Sequence, residues 1–102
     1  MSYDERSNPD PSSIRGRYYF AVDGRDARRG HAIRSVYEAR SIDHAASIAI
    51  ENGMVGDLYE VPSSAYPAWT DWANSLIRTH TRIILPLPAS GIFLGRLEMA
   101  AV

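Results

Sequence analysis

The chain has 102 residues and a formal net charge of −1, and its composition of 45% hydrophobic and 23% charged residues is typical of one small globular domain. It contains no cysteine, which excludes disulfides, thiolate catalysis and cysteine metal sites. All eleven basic residues are arginine, and the absence of lysine excludes Schiff-base chemistry and a phosphate-loop lysine.

The N-terminal residues 1–14 are acidic, polar and interrupted by Pro9 and Pro11, and they lack the basic and apolar segments of a signal peptide. We predict a flexible tail over residues 1–14 and a single domain over residues 15–102. No apolar run approaches the ~20 residues that span a membrane. We therefore expect the protein to be cytoplasmic and to bind no membrane.

The first predicted strand covers residues 17–23, where aromatic and aliphatic side chains alternate with period two. Residues 23–30 begin with the turn dipeptide Asp-Gly and end with glycine, which predicts a hairpin loop. The second strand, residues 31–39, alternates less cleanly, because Ile33 and Val36 would lie on opposite faces unless a bulge shifts the phase. Since a short loop joins them, the two strands are antiparallel.

A well-capped helix is predicted next. Ser41 is a favourable N-cap, Asp43 places negative charge in the first turn, and an Asn-Gly pair supplies a left-handed stop. An apolar stripe recurs between them at helical spacing, formed by Ile42, Ala45, Ala46, Ala49 and Ile50. A third strand is predicted over residues 55–61.

A second helix is predicted after the caps Ser63 and Ser64, with two tryptophans on its apolar stripe of Trp69, Trp72, Ala73, Leu76 and Ile77. We interpret this stripe as core, because a small domain needs that apolar area; the alternative is a docking surface. Residues 81–85 are rich in strand-forming side chains, and residues 92–102 fit either a strand or, over their last part, a short helix.

These elements predict an α+β fold. The sheet is expected to be mainly antiparallel, with four to five strands in the sequential order β-β-α-β-α-β-(β) and two helices packed on one face.

The net charge conceals a segregation along the chain. Residues 15–40 contain seven arginines and three acidic residues, whereas residues 41–64 contain four acidic residues and no arginine. Such polarity can attract a charged partner or a second copy, so a homodimer is one candidate assembly. The alternative is an ordinary solvated surface on which opposite charges lie close together.

Two groups of residues are candidate partner-binding sites. The basic hairpin offers guanidinium groups for phosphate or carboxylate contacts, from Arg25, Arg28, Arg29 and Arg34. The acidic segment could face a basic partner surface through Asp43, Glu51, Asp57, Tyr59 and Glu60. Asp57 and Glu60 stand three apart on a predicted strand and so on opposite sides, which disfavours an acid/base pair.

The sequence contains no GxSxG, GxGxxG, P-loop or HExxH motif, and His31, His44 and His80 do not have a metal-ligand spacing. We therefore expect no catalytic residue, no metal and no cofactor. The predicted function is a non-enzymatic interaction domain that masks a protein partner, for example a phage or mobile-element inhibitor of a host nucleoprotein defence complex, of the anti-CRISPR kind. The alternatives are a nucleic-acid-binding module that uses the arginine hairpin and an enzyme with an unrecognised site.

Overall fold

The computed structural model describes residues 18–77 and 83–98, which form one four-stranded sheet and two α-helices. The elements are β1 (Tyr18–Asp26), β2 (Ala32–Ala39), α1 (Ile42–Glu51), β3 (Met54–Val61), α2 (Tyr66–Ile77) and β4 (Ile92–Leu97). A short 3₁₀ helix, Ser63–Ala65, leads into α2. The predicted α+β class is confirmed, while the predicted tail over residues 1–14 lies outside the described residues.

The strand order is β2-β1-β3-β4, and every neighbouring pair is antiparallel. Because β2 and β3 both pair with β1, they run parallel to each other, and the connection through α1 crosses from one side of β1 to the other. The central strand β1 therefore holds the sheet together. β2 and β4 are its two edges.

The two helices pack on opposite faces of the sheet, so the prediction that they share one face is wrong. Residues Phe20 and Val22 of β1 lie under α1, whereas Ala21 packs with Trp69 and Trp72 of α2. The reason is that β1 is apolar on both faces, and a strand of that kind must be covered on each side. Both tryptophans are fully buried, which confirms their assignment to the core.

The irregular alternation of β2 has the same explanation. Ile33 packs in the cluster beneath α1, and Val36 packs in the cluster beneath α2. The pairing of β1 with β2 runs in one continuous register. No bulge is needed in this strand, because each face of the sheet has its own helix.

The hairpin loop is shorter than predicted. β1 continues to Asp26, so the turn comprises residues 27–31 and Gly24 lies inside the strand. Gly24 faces Gly56 across the β1–β3 pair, and a Cβ at position 24 would collide with the carbonyl oxygen of Val55. Gly24 is thus required for close approach of two strands and not for a turn.

Residues 83–88 form no strand, although a strand was predicted over residues 81–85, of which 81–82 lie outside the described residues. The backbone of Leu85 is bonded to side chains instead: its N–H donates to Ser75 Oγ at 3.0 Å, and its carbonyl accepts from Arg34 at 3.0 Å. Strand pairing resumes at β4, which settles residues 92–97 as strand. No helix in residues 18–77 and 83–98 is long and apolar enough to cross a membrane.

Candidate interaction site

The turn between β1 and β2 is organised by one carboxylate. Asp26 Oδ1 accepts the backbone N–H groups of Arg28 at 2.8 Å and Arg29 at 3.1 Å. These two hydrogen bonds, with a smaller contribution from the positive charges of the same arginines, hold the pKa of Asp26 below its ordinary value of 3.8. The only carboxylate of the turn is therefore directed at the backbone.

Backbone hydrogen bonds fix the rest of the turn. Asp26 donates to the His31 carbonyl and Gly30 donates to the Asp26 carbonyl, both at 2.8 Å. Ala27 donates at 2.7 Å to the carbonyl of Gly53, in the turn that follows α1. The hairpin is thus anchored both internally and to the neighbouring α1–β3 turn.

Three arginine side chains project from this anchored hairpin, and we call Arg25, Arg28 and Arg29 the arginine tip. All three residues are exposed. Their guanidinium groups make no hydrogen bond or ion pair with other residues of the described ranges. The tip therefore presents three positive charges that the rest of the described chain leaves available to a partner.

Arg34, which the sequence grouped with these residues, has a different role. Its Nη1 atom donates to the carbonyl of Trp72 at 2.9 Å, to Ser75 Oγ at 3.2 Å and to the carbonyl of Leu85 at 3.0 Å. Its guanidinium carbon lies 4.6 Å from the ring centroid of Trp72. Arg34 joins β2, α2 and the segment before β4, so it is a structural residue and does not belong to the tip.

A row of charged residues crosses all four strands on the α2 face. Asp23 is in register with Arg34 of β2 and with Asp57 of β3, and Asp57 is in register with Arg96 of β4. Arg96 Nε lies 3.2 Å from Asp57 Oδ1 in an ion pair whose arginine side chain is 67% exposed. Two adjacent carboxylates therefore lie between two arginines, in the order plus, minus, minus, plus.

This end of the sheet forms an open cleft of about 600 Å³ beside the arginine tip. Its charged lining residues are Asp23, Arg25, Asp57, Arg96 and Glu98. The tip thus shares Arg25 with a cleft of mixed charge, which is lined by three carboxylates and two guanidinium groups. Asp23 and Arg96 were not predicted as site residues, because only the strand register brings them together.

The residues of the predicted acidic segment do not form one surface. Asp43 and Glu51 are exposed on α1. Glu60 is in register with Phe20 on the α1 face, whereas Asp57 pairs with Arg96 on the α2 face. The separation of Asp57 from Glu60 agrees with the alternation of side chains along a strand.

Tyr59 is a packing residue on the α2 face. Its ring centroid lies 5.5 Å from that of Trp69 and 5.6 Å from that of Phe93. Burial raises the pKa of Tyr59, and the nearby negative charges of Asp57 and Asp23 raise it further. Its contribution to the molecule is an aromatic contact that joins β3, β4 and α2.

Within residues 18–77 and 83–98, no group of three or more histidine, aspartate or glutamate side chains is placed to hold a metal ion. Comparison with known proteins finds no significant match to a protein family, to a curated protein or to a solved structure.

Proposed function

We propose that the chain is a non-enzymatic interaction domain that binds an acidic surface of a protein partner through the arginine tip. The observation that carries this proposal is the anchored turn. Arg28 and Arg29 project from it and Arg25 from the strand just before it, and none of the three makes an ion pair within residues 18–77 and 83–98. The neighbouring carboxylate, Asp26, is occupied by the backbone N–H groups of Arg28 and Arg29.

Anchoring matters because each group that becomes ordered in the complex loses conformational entropy, which lowers the affinity. A flexible loop would lose backbone freedom when its arginines met carboxylates. The hydrogen bonds from Ala27 to Gly53 and from Gly30 to Asp26 have already fixed this backbone. Only the arginine side chains remain to be ordered, and guanidinium groups pair with carboxylates in a bidentate geometry.

The mixed charge beside the tip favours a protein partner over nucleic acid. A phosphate backbone is uniformly negative, and its approach to the tip would bring it close to Asp23, Asp57 and Glu98. A protein surface can place acidic side chains against the tip and basic or polar side chains against these carboxylates. A surface-masking inhibitor of a host nucleoprotein defence complex is the form of this function that small size and charge segregation support.

The test compares an arginine-to-serine double variant of the tip with a single arginine-to-serine control elsewhere on the chain. Arg28→Ser with Arg29→Ser removes two tip charges and keeps the backbone N–H groups that bind Asp26. The control, Arg40→Ser, removes an exposed arginine that follows β2 at the opposite end of the β1–β2 pair. Immobilised wild-type chain captures partners from a lysate of the source cells, and each recovered protein is purified and titrated against all three forms.

The tip variant is expected to weaken binding at least 10-fold, since charge-assisted hydrogen bonds contribute ~1.5–3 kcal/mol each. Arg40→Ser should change the affinity less than about 2-fold. Equal affinity of the tip variant and the wild type would refute the proposal. Binding of a 20-base-pair DNA duplex at ~50 mM salt, lost in the tip variant, would show that the site serves nucleic acid instead.

A further inference from the structure

The outer edge of β4 carries no strand partner among residues 18–77 and 83–98. β4 bonds to β3 on one side and ends the sheet on the other, and none of the described strands covers that edge. The strand Ile92–Leu97 contains no proline, and of the features that commonly protect an edge it has one charged side chain, Arg96, and one register shift. Its residues Ile92 and Phe93 are each 57% exposed. An edge that exposes these two apolar side chains and a single charge still fits another strand.

A register shift gives β4 an unusual pattern of faces. Ile92 pairs with Glu60 and Phe93 pairs with Tyr59, but after the shift Arg96 pairs with Asp57 and Leu97 pairs with Gly56. Ile92 and Leu97 consequently lie on the α1 face, while Phe93 and Arg96 lie on the α2 face. In a strand without this irregularity, residues five apart would point to opposite faces.

The order in which the side chains of β4 lie on the α1 or the α2 face is symmetric, so it is the same from residue 92 to 97 as from residue 97 to 92. Its midpoint falls between Leu94, which packs in the α1-side cluster, and Gly95, which is in register with Leu58 of that same cluster. Antiparallel pairing about a two-fold axis at this midpoint brings together residues that share a face. Such a pattern is what an isologous strand-to-strand contact requires.

We propose that two copies of the chain pair through β4, antiparallel and with the two-fold axis between Leu94 and Gly95. In this register Ile92 lies opposite Leu97 of the second copy, and Phe93 lies opposite its Arg96. The first pair is apolar on both sides, and the second places a phenyl ring beside a guanidinium group. The two four-stranded sheets become one sheet of eight strands.

The ion pair and the exposure of Arg96 favour this contact. Its Nε atom is held 3.2 Å from Asp57, while 67% of its side chain remains exposed. Phe93 is likewise ordered, because its ring makes an edge contact with Tyr59 at a centroid distance of 5.6 Å. Each copy therefore offers one ring and one guanidinium group that already have a contact within their own chain, and the two-fold axis places one against the other twice.

The test introduces opposite charges at position 93 in two variants. Phe93→Arg would place two arginines opposite each other at both symmetric positions, whereas Phe93→Glu would place a carboxylate opposite each Arg96. Sedimentation velocity from ~5 to ~200 µM measures the dimer dissociation constant of each form. Ile83→Lys is the control, because Ile83 is 69% exposed and lies outside the strand.

The wild type is expected to dimerise, Phe93→Arg to raise the dissociation constant at least 10-fold, and Phe93→Glu to form a dimer that added salt weakens. Ile83→Lys should dimerise as the wild type does. Circular dichroism checks that the variants are folded; if Phe93→Arg is not, Ile92→Lys takes its place with the same expected loss.

Three results would overturn the proposed pairing. They are a wild type that is monomeric at ~200 µM, equal effects of the two Phe93 variants, and dissociation caused equally by Ile83→Lys. The arginine tip is unchanged in all of these variants, so failure of the dimer would leave the partner-binding proposal untouched.

Discussion

Substitution of Arg34 should lower the free energy of unfolding, whereas substitution of an arginine of the tip should leave it nearly unchanged. Arg34→Ala tests this most directly. The substitution removes every contact of Arg34 Nη1 with Trp72, Ser75 and Leu85, together with the stacking on the Trp72 ring. An Nη1 atom carries two hydrogens, so its three acceptors share two donors. The loss amounts to about two charge-assisted hydrogen bonds and one cation–π contact.

The magnitude follows from these contacts. Two such hydrogen bonds contribute ~3–6 kcal/mol, and a cation–π contact on the buried Trp72 ring contributes ~1–2 kcal/mol, before relaxation. Ser75 keeps its own bonds to the Trp72 carbonyl and the Leu85 N–H, and water can reach the carbonyl of Leu85 beside the exposed residues 86–87. We therefore expect Arg34→Ala to lower the free energy of unfolding by ~2–4 kcal/mol.

Urea denaturation followed by tryptophan fluorescence measures this change, because Trp69 and Trp72 are both buried in the folded chain. Arg34→Lys keeps the charge without the planar group and should lie between alanine and the wild type. Arg28→Ala, at an exposed position, should stay within ~0.5 kcal/mol of the wild type. A change below ~0.5 kcal/mol for Arg34→Ala, or a larger loss for Arg28→Ala, would refute the division of the arginines into structural and tip residues.

Three further predictions concern the turn, the close strand contact and alkaline stability. Asp26→Ala should weaken partner binding, although it removes a negative charge beside the tip, because it removes the acceptor that holds the turn. Asp26→Asn keeps an acceptor for the turn and should bind at least as well as the wild type. Titration calorimetry with the recovered partner distinguishes the two variants, and tighter binding by Asp26→Ala would show that only net charge matters. Gly24→Ala should lower the free energy of unfolding in urea by at least ~2 kcal/mol, because its Cβ meets the Val55 carbonyl, and Gly30→Asn, at a turn position with φ of 79°, should cost less than ~1 kcal/mol. Burial raises the pKa of Tyr37 from 10.0 to about 12, so its contribution to stability is complete below pH ~10 and is lost as the pH rises toward 12. Ultraviolet difference titration should show a tyrosine that ionises near pH 12, and Tyr37→Phe should remove that step. A titration that Tyr37→Phe leaves unchanged would contradict the assignment.

The helix α1 could be predicted from the sequence because its signals are local. Ser41 accepts a hydrogen bond from the His44 N–H at 3.1 Å, as an N-cap should, and Asn52 and Gly53 close the last turn. The apolar stripe of α2 identified Trp69 and Trp72 as core for the same reason. Caps and helical periodicity relate residues three or four positions apart, so they can be recognised in a single sequence.

Features that depend on distant strands could not be predicted in this way. An Asp-Gly pair usually marks a turn, but here Gly24 is required by Gly56, which lies 32 positions later and beside it in the sheet. Arg34 resembled a hairpin arginine until α2 placed Trp72 and Ser75 within its reach. The two covered faces of the sheet likewise depend on where each helix returns, which the period of a single strand does not specify.

The affinity of the recovered partner for Arg28→Ser/Arg29→Ser, measured beside Arg40→Ser in the same titration, tests the proposed function most directly. If the anchored arginine tip is the binding site, the double variant binds at least 10-fold more weakly, and Arg40→Ser binds as the wild type does. If both variants bind as tightly as the wild type, or if both lose affinity equally, the tip is not the site and the exposed arginines are only a solvated surface.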